Sequence, residues 1–200
     1  FLFLIISFLA SVAGAICGIG GGVLIKPLLD AFGVLSVASI SFLSGCTVLS
    51  MACYSVVKSK QRQEPGMYQR NGTILAVGAA VGGAAGKLMF QRISSAFADA
   101  NQIGAVQAGC LMIITASTLA YTVKKEKIRT LHITNKTACM AIGILLGICS
   151  SFLGIGGGPI NLVVLFYFFS METKEAAAAS LYIIMFSQST ALLNTVLSGN

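Results

Sequence analysis

The pentapeptide GIGGG occurs twice, at Gly18–Gly22 and at Gly154–Gly158, 136 positions apart. Each copy interrupts a strongly apolar run: GAICGIGGGVLIKPLL in the first case, SSFLGIGGGPINLVVL in the second. Glycine is a poor helix former, at about 1 kcal/mol against alanine per interior position, so each copy is expected to break a helix. A helix that restarts after such a break exposes unpaired N–H groups and about half a positive charge at its N-terminus. Glycines let those N–H groups approach a ligand with no side chain in the way. Pro159 suits the first turn of the second restarted helix, where a missing N–H costs nothing. Two such N-termini brought together would bind a small anion. Gly18, Gly20, Gly21 and Gly22, with Gly154, Gly156, Gly157 and Gly158, are therefore the candidate substrate-binding backbone. The alternative is that the glycines let helices cross closely.

Polar side chains near these motifs are few. Asn161 falls in the first turn of the second restarted helix and can point a donor at the anion, or make a packing hydrogen bond. Ser44 and Thr47 share one helix face. Ser180, Ser187 and Asn194 recur every seven residues on the equivalent helix. Such stripes line a polar path or bond back to carbonyls. Ser44 and Ser180 are 136 positions apart, which favours the path for these two. Gln107 and Gln188 read as helix–helix bonds. Lys26, one turn into the first restarted helix, is a possible counter-charge for the anion. Its competing reading is a pair with Asp30 and snorkelling outward; its counterpart, Leu162, carries no charge. Gly78, Gly82 and Gly86 form a small-residue packing face.

Other chemistry lacks its residues. There is no GxxxxGK[ST] for a nucleotide-driven pump. All six acidic residues (30, 64, 99, 126, 172 and 175) fall in or beside connectors, which leaves no candidate for a buried carboxylate relay. The six cysteines lie inside apolar segments, without a CxxC pair, and the single histidine, His132, is in a basic connector. No metal site, disulfide framework, cofactor or enzymatic activity is expected.

The elements that must position these groups are membrane helices. Of the 200 residues, 56% are hydrophobic and 10% charged, against about 25% charged in soluble proteins. Apolar runs cover 1–25, 31–57, 71–86, 103–123, 137–171 and 176–198, and about 20 such residues span a bilayer core of roughly 30 Å. The fold class is an all-α polytopic membrane protein. Residues 1–16 lack the basic start and cleavage site of a signal peptide and read as a spanning helix. Nine of the thirteen basic residues cluster in two connectors, Lys58 to Arg70 and Lys124 to Lys136. The positive-inside rule puts both in the cytoplasm, and nothing resembles a nucleic-acid-binding face.

Alternating crossings from those connectors give in-to-out passes for 1–33, 71–90 and 137–170, and out-to-in passes for 38–57, 103–123 and 176–198. Each GIGGG stretch is then one broken crossing: a helix to about Cys17, a break, and a second leg from Gly22 to Phe32, with the matching leg from Pro159 to Ser170. Both breaks fall near mid-membrane, and the connector holding Glu172, Lys174 and Glu175 falls outside. Four crossings separate the copies, so the expectation is two parallel repeats. Residues 1–136 form a first four-helix transmembrane repeat, and residues 137–200 start a second, incomplete one. The parent protein is expected to continue for two more helices, eight crossings in all.

GIGGG with the downstream Pro27, GIGGGPINLVV at 154–164, the spacing between the copies and GAAVGGAAGKLMF at 78–90 resemble the sulfite exporter TauE/SafE family of bacterial membrane permeases. The resemblance covers essentially the whole chain. It implies transport of sulfite, sulfonates or related sulfur-containing anions across the cytoplasmic membrane, often as efflux, by proteins of typically eight helices. The leading expectation is a secondary transporter, most simply an exporter, of a small sulfur-containing anion, embedded in the cell membrane as a multi-pass protein. A passive anion channel and a non-transporting membrane scaffold or assembly protein are the alternatives.

Overall fold

The computed structural model describes residues 2–18, 20–31, 37–61, 70–96, 100–124 and 130–197. Among them the chain is all helical: α1 (Leu2–Cys17), α2 (Gly22–Ala31), α3 (Val37–Gln61), α4 (Arg70–Ala96), α5 (Ala100–Lys124), α6 (Lys136–Leu153), α7 (Gly158–Phe169) and α8 (Thr173–Leu197). Helices α3, α4, α5, α6 and α8 are long and apolar enough to cross a membrane; Ser7–Cys17 within α1 and all of α7 are apolar but shorter. The protein is a polytopic membrane protein.

Small residues set the packing. Gly78 and Gly86 of α4 lie against the backbone of α6, where an added Cβ would fall 2.7 Å from Met140 O and 2.6 Å from Ile148 O. Gly143 and Gly147 of α6 lie against Leu75 and Ala79 in return. The expected small-residue face of α4 is therefore a helix–helix contact. Positions rise together along α4 and α6, so the two run parallel. Thr190 donates to Ala80 O (2.9 Å) and Asn194 to Ala84 O (3.5 Å), so α8 runs parallel to α4 as well. Helices α3 and α8 are antiparallel: Gly45 meets Gln188 and Leu192, while Met51, Ala52 and Val56, further along α3, cluster with Leu181 and Ile184, earlier on α8.

The GIGGG breaks reverse the chain. Leu131 N–H donates to Tyr167 O (2.7 Å), Ile133 N–H to Phe168 O (3.0 Å), and Ser170 Oγ to Thr130 Oγ1 (2.6 Å). The residues that lead into α6 thus hold the residues that end α7. Helix α6 alone is about 27 Å long, so a straight continuation would put α7's end far from its start. The pair α6–α7 is a hairpin. In the first copy Gly20 N–H bonds Gly14 O (3.3 Å), Gly21 sits on the backbone of Ala10 and Ser11, and Ala10 clusters with Ile25 and Leu29. So α2 folds back along α1.

This corrects the expected topology. Neither GIGGG stretch is a single broken crossing. With the α6–α7 hairpin returning to its starting end, the connector of Glu172 and Lys174 lies at the same end as the two basic connectors, not opposite them. Three crossings, α3 to α5, separate the hairpins, so they open to opposite ends of the bundle. The two copies are inverted rather than parallel, as the antiparallel α3 and α8 require.

Candidate functional site

The two hairpin tips meet inside the bundle. A Cβ on Gly22 would fall 2.5 Å from Ile155 O, so the backbone of one tip touches that of the other. Gly20 and Gly156 both face Val48 and Ile184, each halfway along a 25-residue helix. The tips therefore sit at mid-depth, as expected. The contacts are reciprocal. Gly18 abuts Ala177 and Gly154 abuts Ser41, and positions 41 and 177 are themselves 136 apart. Backbone angles repeat as well: φ is 68° at Gly18 and 65° at Gly154, and 77° at both Gly20 and Gly156. A side chain at these left-handed positions would be strained, which is why the tips need glycine.

The α2 and α7 N-termini, at Gly22 and Gly158, lie at these tips. The α7 turn has Gly157 as its cap (φ 76°) and Pro159 in its first turn. Asn161 follows, its N–H bonded to Gly157 O at 3.0 Å. The Asn161 side chain is 0% exposed, and neither its Oδ1 nor its Nδ2 has a partner. Ser150 Oγ, on the last turns of α6, is also buried and unpartnered. Gly157 lies between them: a Cβ there would fall 2.7 Å from Ser150 Oγ and 3.0 Å from Asn161 Oδ1. Burying polar groups without partners costs about 1–3 kcal/mol each. A concentration of them marks where a ligand, water or ion belongs.

Ser44 and Ser180 are both 0% exposed with unpartnered hydroxyls. Ser44 stands between Ser41 and Val48 on one face of α3, so it faces the second tip, from Gly154 to Gly156. Ser180 stands between Ala177 and Ile184 on α8 and faces the first. Ser187 and Gln188 Nε2 extend the unpartnered set along α8. Thr47, by contrast, bonds back to Leu43 O (2.9 Å), and Asn194 serves the α4 contact. Thr47 and Asn194 are thus satisfied by helix carbonyls, whereas the hydroxyls of Ser44, Ser180 and Ser187 have no protein partner.

Lys26 does not snorkel; it is 3% exposed. Its Nζ donates to Leu153 O at 2.9 Å and to Gln107 Oε1, and Gln107 Nε2 donates to Phe152 O at 2.6 Å. The ammonium thus sits at the C-terminal end of α6, where helix carbonyls favour a cation. It ties α2 to the second tip through α5. The side chain of Asp30 lies outside the described residues.

Not every candidate reaches this centre. Gly18 and Gly21 contact Ala177 and the α1 backbone and serve packing. Two side chains against the second tip, Ser41 beside Gly154 and Ser150 beside Gly157, were not singled out in the sequence. Ser150 lies about one turn before the second motif, and Ser41 one turn before Ser44; proximity on a helix was their signal. Among the described residues no group of His, Cys, Asp or Glu could hold a metal. The arrangement offers hydroxyls, a carboxamide, helix-end amides and one ammonium, a donor-rich surface for an anion.

Comparison with known families gives a match to the model described as Sulfite exporter TauE/SafE over residues 3–200. No curated protein and no solved structure matches the chain.

Proposed function

The chain belongs to the sulfite exporter TauE/SafE family, and from that premise we propose that it exports sulfite or a closely related sulfur-containing anion across the cell membrane. The substrate is held between the two hairpin tips by the α2 and α7 N-termini, Gly20, Gly22, Gly156, Gly157 and Gly158, with Asn161, Ser44 and Ser180 as side-chain donors. The observation that carries this reading is Asn161: a carboxamide wholly buried beside a helix N-terminus, with both polar atoms unpartnered. A bound oxyanion would accept from its Nδ2 and from the α7 amides. Lys26 supplies positive potential at the same tip while holding it in place. The two halves, residues 1–136 and 137–200, would shift against one another around the substrate, as inverted repeats do in secondary transporters.

Export follows from charge. An anion leaving a cell that is negative inside gains about 2.3 kcal/mol per charge per 100 mV. No buried carboxylate among the described residues offers a proton or cation to couple uptake.

The test is flux of labelled sulfite, with sulfate as comparison, in liposomes holding the full-length protein at a set membrane potential. Saturable, potential-sensitive sulfite flux is expected, with Asn161→Leu raising the half-saturating sulfite concentration roughly ten- to hundredfold. A folded protein that moves no sulfur oxyanion would sink the proposal. An ohmic, non-saturating current would replace the transporter by a channel.

A further inference from the structure

Asn161 presents an acceptor to the site as well as a donor. A carboxamide has one end of each kind whichever way it is turned. The hydroxyls of Ser44, Ser150 and Ser180 rotate to donate or accept, and the α7 amides only donate. Asn161 Oδ1 differs from all of these. It can only accept, and it bonds no protein donor. The side chain is 0% exposed. Its oxygen lies beside Gly157, where an added Cβ would fall 3.0 Å from Oδ1 and 2.7 Å from Ser150 Oγ. A buried acceptor needs a hydrogen to accept, so this one favours a substrate that brings a proton with it.

The second tip alone makes this demand. The positions 136 residues away from Asn161, Ser150 and Ser41 are Ile25, Gly14 and Ala177, none of which has a polar side-chain atom. One acceptor asks for one proton. Charge points the same way. The charged side chain that the described contacts bring to a tip is Lys26, 3% exposed, with its Nζ on Leu153 O and Gln107 Oε1. One ammonium balances one negative charge. A dianion would leave an unbalanced charge in a buried site, where such a charge is costly. It would also turn one of its oxygens against Asn161 Oδ1.

Building on the export reading above, we infer that the species moved is the protonated monoanion, hydrogen sulfite in the case of sulfite, and that Asn161 selects it. Oδ1 accepts from the substrate's O–H, while Nδ2 and the α7 amides donate to its other oxygens. Sulfate, fully ionised at neutral pH, has no proton to give. It is rejected by the same oxygen that admits hydrogen sulfite, as a site built to pair a hydrogen-bonding group rejects an analogue that lacks it. The substrate also carries its own proton across, along a path where the described residues place no buried carboxylate to carry one.

The experiment uses the full-length protein in liposomes clamped at about 60 mV, with the same pH inside and out. At equilibrium that potential shifts a singly charged species about tenfold and a doubly charged one about a hundredfold. Labelled sulfite is expected to settle at a ratio of about tenfold. A ratio of about a hundredfold overturns the inference and leaves export standing, since the dianion is then the species moved. Two competitors test the acceptor. Sulfamate and methanesulfonate are monoanions of similar shape; one carries N–H donors on its sulfur, the other a methyl group. Sulfamate is expected to inhibit sulfite flux at a roughly tenfold lower concentration than methanesulfonate, and Asn161→Leu to remove the difference. Equal inhibition of the unaltered protein overturns the inference without any variant having to fold. A sulfamate preference that Asn161→Leu retains overturns the role of Asn161. A folded protein with no sulfite flux removes the export reading, and the choice of ionic form with it.

Discussion

At the scale of single residues, Asn161 separates a binding role from a structural one. Its carboxamide is buried and neither polar atom bonds another protein group, and burying such a group costs stability. Replacing it by leucine removes both polar atoms at similar volume, and such a change is neutral or stabilising when nothing is left unsatisfied. With substrate present, the same change removes a hydrogen bond to a charged group, about 1.5–3 kcal/mol, or roughly ten- to hundredfold in affinity. Asn161→Leu is therefore expected to leave the thermal midpoint of the detergent-solubilised protein unchanged or raised, while sulfite affinity falls by that factor. A packing asparagine would lose midpoint and keep affinity. Gly157→Ala should behave differently. Its φ of 76° strains any side chain and its Cβ would meet Ser150 Oγ at 2.7 Å, so midpoint and affinity should fall together.

At the scale of elements, glycine acts by closeness, and two helical glycines test this. Gly86 of α4 has no room, because an added methyl would lie 2.6 Å from Ile148 O on the α6 backbone. Gly109 of α5 has nothing within 4 Å. Gly86→Ala is expected to destabilise by about 1–3 kcal/mol, the cost of overpacking. Gly109→Ala should stabilise by up to about 1 kcal/mol through helix propensity. Thermal unfolding of both variants in one detergent measures the contrast; equal effects would mean that α4 and α6 do not pack through this ridge. Most of this level was legible in the sequence. Apolar run length placed the helix starts within a few residues, though the run 71–86 stops ten residues short of the end of α4, and the spacing of Gly78, Gly82 and Gly86 marked α4's packing face. The candidate site was legible where a motif repeated, at the glycines and at Ser44 and Ser180. It was not legible at Ser41, Ser150 or the Gln107 contact with Lys26, because a lone serine or glutamine looks the same whether it faces a neighbour or a cavity.

At the scale of the whole molecule, what the sequence left undecided was whether a glycine break continues a crossing or turns it back. Both give the same apolar run with the same interruption. The deciding contacts are remote in sequence: Leu131 and Ile133 against Tyr167 and Phe168, and Ser170 against Thr130. One physical hint was available. An 18-residue α6 followed by a 12-residue α7 makes about 45 Å of helix at 1.5 Å per residue, well beyond a core of roughly 30 Å. A hairpin removes that excess and changes the parity of the crossings. The consequence can be measured from outside the membrane. In a cysteine-free background, single cysteines at Gln61, Thr130 and Thr173 report the ends of α3, the approach to α6 and the start of α8. Two hairpins put all three on the cytoplasmic side, so a membrane-impermeant maleimide should label them in inverted vesicles and not in intact cells. A broken crossing would place Thr173 alone on the outer side, where intact cells would label it. Transport depends on the outcome. Inverted halves let the outward-open and inward-open states be near mirror arrangements of one another, with each hairpin taking in turn the place the other held. Parallel halves would offer no such exchange. Labelling of Thr173 from outside would therefore remove the hairpin and this exchange, and alternating access would then have to come from rocking of parallel halves instead.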